Sequence, residues 1–433
     1  MNQMPDTTNP ETPGGMYLSA GATDRAVGAV VGSAVGDALG AFYETTYPRS
    51  DEKIVMRPGG GFDRRRALGG WTDDTSMTLG VLDALAAGYA EAADADPHRD
   101  ESCDGGAPDE YRVPPAIDVP AMAANFLRWY RGGPPDVGNQ TARILGAAAG
   151  PGDVADVARR FSERNPRSAG NGALMRTSAV ALSGYHDDEV APLAASVAAL
   201  THPHPDSVAA CVLWTTAVNC AIHDRWHDFR NDGEDDTADD LRAGGPFFAE
   251  AVRSGLWFLP DESRRRRWEG IIDAALACPD AAEARRLFTP NGWVVTAFSA
   301  ALWAVVATPV HSPTQHFRDA LVAAVRVGHD TDTVAAIAGG LLGARWGLAA
   351  IDDEWTRHLH GDRVRGETVT GAELATVALQ AFDCTIQRLL AGRRAYWNDF
   401  FEQPEVLTRE TIRHGKELEA WTRQCEEAGV FDH

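Results

Sequence analysis

The sequence predicts an all-α fold, on three observations. Apolar residues, mostly Ala, Leu and Val, recur at spacings of three and four along most of the chain, as in helices that bury one face. Alternating Val, Ile and Thr patterns, the mark of half-buried strands, are scarce. Glycines recur every fourth residue in two segments, Gly28, Gly32, Gly36 and Gly40, then Gly339, Gly343 and Gly347, so each series lies on one helical face.

In chain order, the first helix is expected over 24–43 and carries the first glycine series. Glycine costs a helix about 1 kcal/mol per position relative to alanine, so a stripe of it needs compensation, and close backbone packing supplies that. The two glycine-striped helices are therefore expected at the centre of the fold, in contact. A phosphate-binding G-x-G-x-x-G loop is excluded, because neither that spacing nor a preceding strand is present. The second helix, over 75–92, follows an acidic cluster whose oxygens suit a helix start. The same apolar spacing gives helices over 120–131, 140–149, 172–183 and 188–200. His204 before Pro205 reads as the start of a helix over 205–224, and H-x-H alone is weak evidence for zinc. Helices follow over 247–256, 268–278, 281–287 and 294–306. The last of these lies in the most apolar stretch, from Trp293 to Val310, which falls short of the roughly 20 apolar residues a bilayer needs and reads as a buried helix. After 312–327, the helix over 333–347 carries the second glycine series, and 371–391 and 406–428 close the chain as amphipathic helices.

Composition narrows the function. The 433 residues are 44% hydrophobic, enough for a sizeable core, and carry a formal net charge of −22. Lysine occurs only at Lys53 and Lys416, which argues against a general nucleic-acid binder, since phosphate neutralisation needs clustered cations. Much of the acid sits in tracts at about 92–118 and 231–245, read as solvated loop insertions. Six scattered cysteines without a C-x-x-C pair fit reduced thiols and a cytoplasmic protein. Residues 1–20 are polar and rich in Pro and Gly, a disordered start and not a signal peptide. The expected organisation is thus a disordered 1–20, a catalytic domain over 21–360, and a C-terminal helical extension over 361–433.

The chemistry is expected in two acidic clusters. "WTDDTSMTL" places Asp73 and Asp74 between Thr72 and Thr75, and "VGHDTDTV" places Asp330, Thr331, Asp332 and Thr333 in a row, each directly before an apolar helix. Helix capping explains either cluster alone, since one Asp or Thr oxygen caps free N–H groups and suits the helix's positive end. On two helices in contact, however, four carboxylates converge, and without cations they repel. An all-oxygen ligand set selects hard divalent cations, Mg²⁺ or Mn²⁺, over zinc. Glu44, directly after the first glycine-striped helix, is a candidate companion. Asp37 lies inside that segment, where a hydrogen bond to neighbouring backbone and a role in the site are equally open. His223 and His227, at i and i+4 in "HDRWH", have no third ligand in view and read as surface residues.

The order and spacing of "GAVVGSAVGDALGAFYE", "WTDDTSMTL", "SAGNGALMRTSAVAL", "THPHPDSVAACVLW" and "VGHDTDTVAAIAGGLLGARWG" resemble the ADP-ribosylglycohydrolase family from about residue 22 to 347. The resemblance implies a compact all-α fold around two divalent cations. It assigns metal ligation to Thr72, Asp73, Asp74, Asp330, Asp332 and Thr333, and places Glu44 at the entrance of the metal site as a gate or polarising group. It makes "SAGNG" the loop that wraps phosphates and distal ribose, through Ser168, Gly170, Asn171 and Gly172, with Met175 behind them. It sets His202 in the pocket lining. His329 stands where the family commonly has Gly or Asn, a departure that bears on leaving-group contacts.

The expected activity is metal-dependent hydrolysis at the anomeric carbon of the distal ribose, releasing ADP-ribose from a modified protein side chain, nucleobase or small molecule, with Glu44, Asp73, Asp74, Asp330 and Asp332 as the catalytic acids. No membrane partner is expected. The competing readings are a Mg²⁺-dependent phosphohydrolase that cuts the pyrophosphate, a non-catalytic ADP-ribose-binding protein, and a structural protein of the same fold. The full set of matched ligands weighs against the last two.

Overall fold

The computed structural model describes residues 21–87, 116–225 and 244–401, with the side chains of 390–401 excepted. The start at 1–20, most of the two acidic tracts, His227 and the helix expected over 406–428 lie outside the described residues. Helices dominate, as expected: α1 Ala22–Gly40, α2 Asp73–Leu85, α3 Val119–Arg131, α4 Asn139–Ala147, α5 Val154–Arg164, α6 Asp187–Ala199, α7 Pro205–Ile222 and α8 Gly244–Ser254. They continue as α9 Glu262–Leu276, α10 Ala281–Leu287, α11 Val294–Ala307, α12 Pro313–Val327, α13 Thr331–Trp346, α14 Asp353–Thr356 and α15 Gly371–Phe401. No helix among the described residues is long and apolar enough to cross a membrane.

α1 and α13 form the centre. They run antiparallel, and nearly every residue of both is buried. A Cβ built at Gly28 would fall on the carbonyl of Gly343, one at Gly32 on that of Gly339, one at Gly36 on that of Ala335, and one at Gly40 on the backbone of Thr331 and Asp332. The missing side chains let the two backbones touch along their whole length, which is the return on the helix propensity lost. Around this pair pack α7 and α11, both buried on nearly all sides. The Trp214 indole of α7 donates to the Ile337 carbonyl of α13 at 3.1 Å, which satisfies a polar group that would otherwise be stranded in the core.

Several elements differ from expectation, and one of them, α5 Val154–Arg164, falls where no helix was expected. The segment expected as a helix over 172–183 is a 3-10 helix, Leu174–Ser183, starting from an irregular turn. The stretch after residue 359 contains an antiparallel hairpin, β1 His360–Val364 and β2 Glu367–Thr370. The Gly69 carbonyl accepts from His360 N at 3.1 Å and Trp71 N donates to the His360 carbonyl at 3.0 Å, so β1 is stitched to the chain just before α2. α15 then buries Leu374, Ala378, Ala381 and Phe382 in the same core as α1 and α2.

The backbone contact between α1 and α13 makes a stability prediction. Gly36→Ala drives a methyl into an immovable carbonyl and should destabilise by about 3 kcal/mol or more, the upper end of overpacking. Gly270→Ala, in exposed α9 with open space around the new methyl, should instead stabilise by about 1 kcal/mol. Urea unfolding of both variants checks the contrast, and equal effects would remove the backbone-contact argument.

Candidate metal centre

The first acidic cluster owes its shape to a residue outside it. Asp37, in the last turn of α1, is fully buried and accepts from Thr72 N at 3.0 Å and Thr75 N at 3.0 Å, with the Thr75 hydroxyl at 2.6 Å. A carboxylate from one helix therefore caps the start of another. The Thr72 hydroxyl lies 2.9 Å from Asp37 Oδ1 and 3.0 Å from Asp74 Oδ2, so it links cap and cluster. Asp37 bonds across to α2, and not within its own helix. Asp73 turns the other way, and its Oδ2 accepts from Gly138 N at 3.2 Å.

The second cluster is held by a turn in which Gly328 and His329 both have positive φ, 88° and 71°. For a histidine that conformation is unfavourable, and the surrounding bonds impose it. His329 N donates to the Thr46 carbonyl at 2.7 Å, and Thr45 N donates to the His329 carbonyl at 2.6 Å. Buried Asn291 clamps the same turn: its Nδ2 donates to the Gly328 carbonyl at 3.0 Å and its Oδ1 accepts from Asp330 N at 2.8 Å. Asn171 Nδ2 donates to Asp330 Oδ2 at 2.7 Å and to the Asn291 carbonyl at 2.9 Å. Asp332 is buried in the first turn of α13, where its Oδ1 accepts from Thr333 N at 3.0 Å.

These pieces meet in a ring of acids. Asp37, Asp74 and Asp332 bring one carboxylate oxygen each within 4.8 Å of the others, and so do Glu44, Asp330 and Asp332. Asp332 belongs to both triads. Burial pushes the Glu44 carboxyl up to about 9, helped by the nearby charge of Asp136, and burial with Asp136 pushes Asp73 up to about 8. Asp74 and Asp332 are raised as well, first by burial and then by the neighbouring acids Asp37 and Glu44 respectively. Glu44 Oε2 and Asp74 Oδ1 are buried with no hydrogen-bond partner. Buried acceptors left unmatched, in an all-oxygen set with excess negative charge, fit hard divalent cations.

Around the ring, "SAGNG" pairs with 291–294: Asn171 N donates to the Gly292 carbonyl at 3.2 Å and Val294 N to the Ala169 carbonyl at 2.9 Å. Ser168 and Gly170 are partly buried at the loop, the Ser168 hydroxyl has no partner, and Met175 is buried behind. His202, 2% exposed, lies beneath the loop, with a Cβ built at Gly172 only 3.0 Å from its Cε1. Burial, and then the Arg176 cation, lower its pKa to about 3, so it is neutral. His204 opens α7, accepting from Asp206 N at 3.1 Å. His223 is a correction. It is buried, not on the surface, because it ends a helix embedded in the core, and it packs on Tyr185.

Sequence reading missed Asn291 and Asp136. Nothing local marks Asn291, whose role comes from contacts with residues 37 and 39 positions away. Asp136 follows "GGPP", so it reads as a loop acid, yet it faces Asp73 and Glu44. Arg66 Nη2 is its counter-cation at 3.8 Å.

The ADP-ribosylglycohydrolase sequence model matches residues 18–388, which runs past the hairpin into α15. The chain is 28% identical over 347 residues to the ADP-ribosylarginine hydrolase Tri1 of Pseudomonas putida (strain GB-1), covering 77% of this chain and 74% of that one. It is 27% identical over 345 residues to the ADP-ribosyl-[dinitrogen reductase] glycohydrolase of Rhodospirillum rubrum, covering 78% and 90%. A solved structure described as an ADP-ribosylglycohydrolase-related protein complex superposes with a TM-score of 0.55 at 25% identity, covering 84% of this chain and 99% of its own. The match spans most of the chain and includes both acidic clusters, and the chain belongs to the ADP-ribosylglycohydrolase family.

Proposed function

We propose that the protein hydrolyses the glycosidic bond between the anomeric carbon of the distal ribose of ADP-ribose and an acceptor, releasing ADP-ribose from a modified protein side chain, nucleobase or small molecule. The observation that carries this reading is the pair of acid triads sharing Asp332, with unmatched oxygens on Glu44 and Asp74, set against the "SAGNG" loop through the bond from Asn171 to Asp330. Thr72, Asp73, Asp74, Asp330, Asp332 and Thr333 would hold two divalent cations, Mg²⁺ or Mn²⁺, which supply Lewis acidity toward water and a template for the ribose hydroxyls.

The chain's own residues do the rest. The bond from the anomeric carbon to the acceptor nitrogen or oxygen breaks, the oxygen of a water takes its place, one proton of that water passes to a carboxylate of the ring, and the ring passes that proton on to the departing acceptor atom. Asp73, on the rim, is the carboxylate placed to take the proton. The remaining acids face the positive charge that develops on the ribose as the bond lengthens. Glu44 stands beside Asp330 and Asp332 at the ring's edge, and the loop 168–172 holds the phosphates and ribose. Mass spectrometry of a panel of ADP-ribosyl conjugates with Mg²⁺ and Mn²⁺ tests the reading directly. Intact ADP-ribose as product supports it, whereas AMP would make the protein a phosphohydrolase.

Three expected outcomes follow from the ring. Asp332→Ala removes the acid shared by both triads and should lower the bound divalent content and cut turnover by about a hundredfold or more while the protein stays folded. Elemental analysis beside circular dichroism checks it, and unchanged cation content would count against the assignment.

The second outcome concerns pH. Folding raises Glu44 and Asp73 from 4.5 and 3.8 to about 9 and about 8, so the folded state binds more protons than the unfolded one. Their contribution is fully present below pH 4 and is lost as pH climbs toward 8 and 9. The Tm of chelator-stripped protein should therefore fall between pH 5 and 9, and Mg²⁺ or Mn²⁺ should raise it more at pH 8 than at pH 5. A cation effect equal at the two pH values would show that the acids are not the binding groups.

Third, Glu44→Gln should cut turnover while ADP-ribose affinity stays within about tenfold, roughly 1.4 kcal/mol. Asn171→Ala should weaken ADP-ribose binding, and should lower turnover too, because the amide also restrains Asp330. Calorimetry with ADP-ribose separates the two, and the reverse pattern would exchange their roles.

A further inference from the structure

Between Glu44 and the start of α2 the chain builds a ridge from "RPGGGFDRRRAL", residues 57–68. Gly59, Gly60 and Gly61 all have positive φ, 73°, 82° and 49°, which lets the backbone double back on itself. Gly59 N donates to the Arg66 carbonyl at 2.7 Å and closes the loop at its foot, and Arg65 N donates to Asp63 Oδ1 at 2.9 Å near its tip. A Cβ built at Gly60 would fall on the Phe42 carbonyl, and one built at Gly61 would fall on Glu44 Oε2. The ridge is therefore seated on the edge of the ring of acids, with a backbone that has little room to shift.

Its outer side carries groups with nothing to pair with. Phe62 is 67% exposed and Leu68 38% exposed, and Arg64 and Arg65 are exposed beside them. The neighbouring Arg57 and Arg66 have Glu52 and Asp136 for partners, whereas among the described residues neither Arg64 nor Arg65 meets a carboxylate. In a chain of net charge −22, residues 57–66 hold four arginines against one aspartate. A lone exposed phenylalanine is ordinary. One set beside unpaired guanidiniums on a fixed backbone has the composition of the centre of an interface, where aromatic residues and arginine are enriched.

A second observation lies at the foot of the ridge, in a cleft of about 170 Å³ that reaches Asp73. Two buried donors of its lining have no acceptor, Arg66 Nη1 and Trp71 Nε1, on residues 9% and 5% exposed. The carboxylates nearest the mouth are already used: Asp362 accepts from the Thr368 hydroxyl at 3.0 Å and from Gly366 N at 3.1 Å, and Asp63 accepts from Arg65 N. What the cleft lacks is acceptors, since a buried donor left unmatched costs free energy that an incoming oxygen recovers. A neutral carbonyl oxygen suits the place better than an anion, because Asp73 and Asp136 also line it and would repel a second carboxylate.

We propose that the ridge 59–68 and the donor pair beneath it form a docking site for an acidic stretch of polypeptide around the modified residue. Main-chain carbonyls of that polypeptide accept from Arg66 Nη1 and Trp71 Nε1, an apolar side chain lies on Phe62, and acidic side chains meet Arg64 and Arg65. This rests on the function proposed above and adds to it the kind of molecule that carries the ADP-ribose, a protein with acidic residues close to the modified one.

The test takes an acceptor that the panel above shows to be released and presents it in three ways: as a small-molecule conjugate, in a peptide flanked by Asp and Glu, and in the same peptide with Asn and Gln in their place. Wild-type protein should favour the acidic peptide in kcat/KM by about fivefold at low salt, as two partly exposed charge pairs do, and the preference should shrink toward unity at about 0.5 M salt. Arg64→Ala with Arg65→Ala should abolish the preference through KM, with kcat within about twofold. Phe62→Ser, and Trp71→Phe, which deletes a donor and keeps an aromatic ring, should each lower kcat/KM for both peptides alike by about threefold. The small-molecule conjugate should stay within about twofold in every variant. A wild-type ratio near unity at low salt, or a small-molecule conjugate that loses rate in step with the peptides, overturns the docking site while the function stands. Wild-type protein that releases ADP-ribose from no member of the panel overturns the function and the docking site with it.

Discussion

Everything at the centre depends on how closely α1 and α13 approach. Their glycines meet backbone to backbone, Gly28 against Gly343 at one end and Gly40 against Thr331 and Asp332 at the other. Because the helices are antiparallel, that contact sets the end of α1, with Asp37 and Glu44 near it, beside the start of α13, with Asp330 and Asp332. A side chain at Gly40 would push Asp332 away from both triads. The geometry of the ring is thus set by the absence of side chains along the whole pair, well away from the acids themselves.

Helix polarity explains part of how such a ring is tolerated. α2 and α13 both begin at it, so two helix N-termini direct their free N–H groups and positive ends toward the carboxylates. Asp37 uses those groups directly, taking Thr72 N and Thr75 N. The cations among the side chains stand further back. Arg66 touches Asp136 at 3.8 Å, and Arg176, fully buried, bonds to the carbonyls of Gly172 and Val197 and to the Thr201 hydroxyl while lying over Phe126. Arg176 has no bonded carboxylate among these partners. Burial lowers its pKa to about 10, so it remains charged and fastens the "SAGNG" loop from behind.

What was legible in the sequence was whatever a short stretch carries by itself. The glycine period predicted the α1–α13 contact, and the repeated pattern of Asp and Thr before an apolar helix predicted that the two clusters share a purpose. Asp37 has two roles open to it in the sequence, because its partners lie 35 and 38 positions away. Asn291 and Asp136 were invisible for the same reason. The hairpin escaped because β1 is partly buried throughout, with no alternation of apolar and polar residues for a pattern search to find. His223 misled because its neighbours in sequence are charged, whereas its place at the end of buried α7 decides its surroundings.

The ring is therefore a stability cost that the fold carries on behalf of its site. Glu44 and Asp74 each keep a buried oxygen without a partner, and Asp74 and Asp332 are held among like charges. None of this favours folding in the absence of a counter-charge, since an unmatched buried carboxylate loses its hydration and gains nothing in return. The close packing of α1 on α13 and the caps from Asp37 and Asn291 hold the acids together against that repulsion. Cation binding and folding are then linked through the same groups: any cation that matches the ring recovers the free energy spent in assembling it, and does so more strongly as the acids lose their protons. Under the function proposed above, a site preassembled at this cost would bind cations without first having to reorganise, with Asp73 on its rim held by Gly138 N and Asp330 held by the "SAGNG" loop through Asn171.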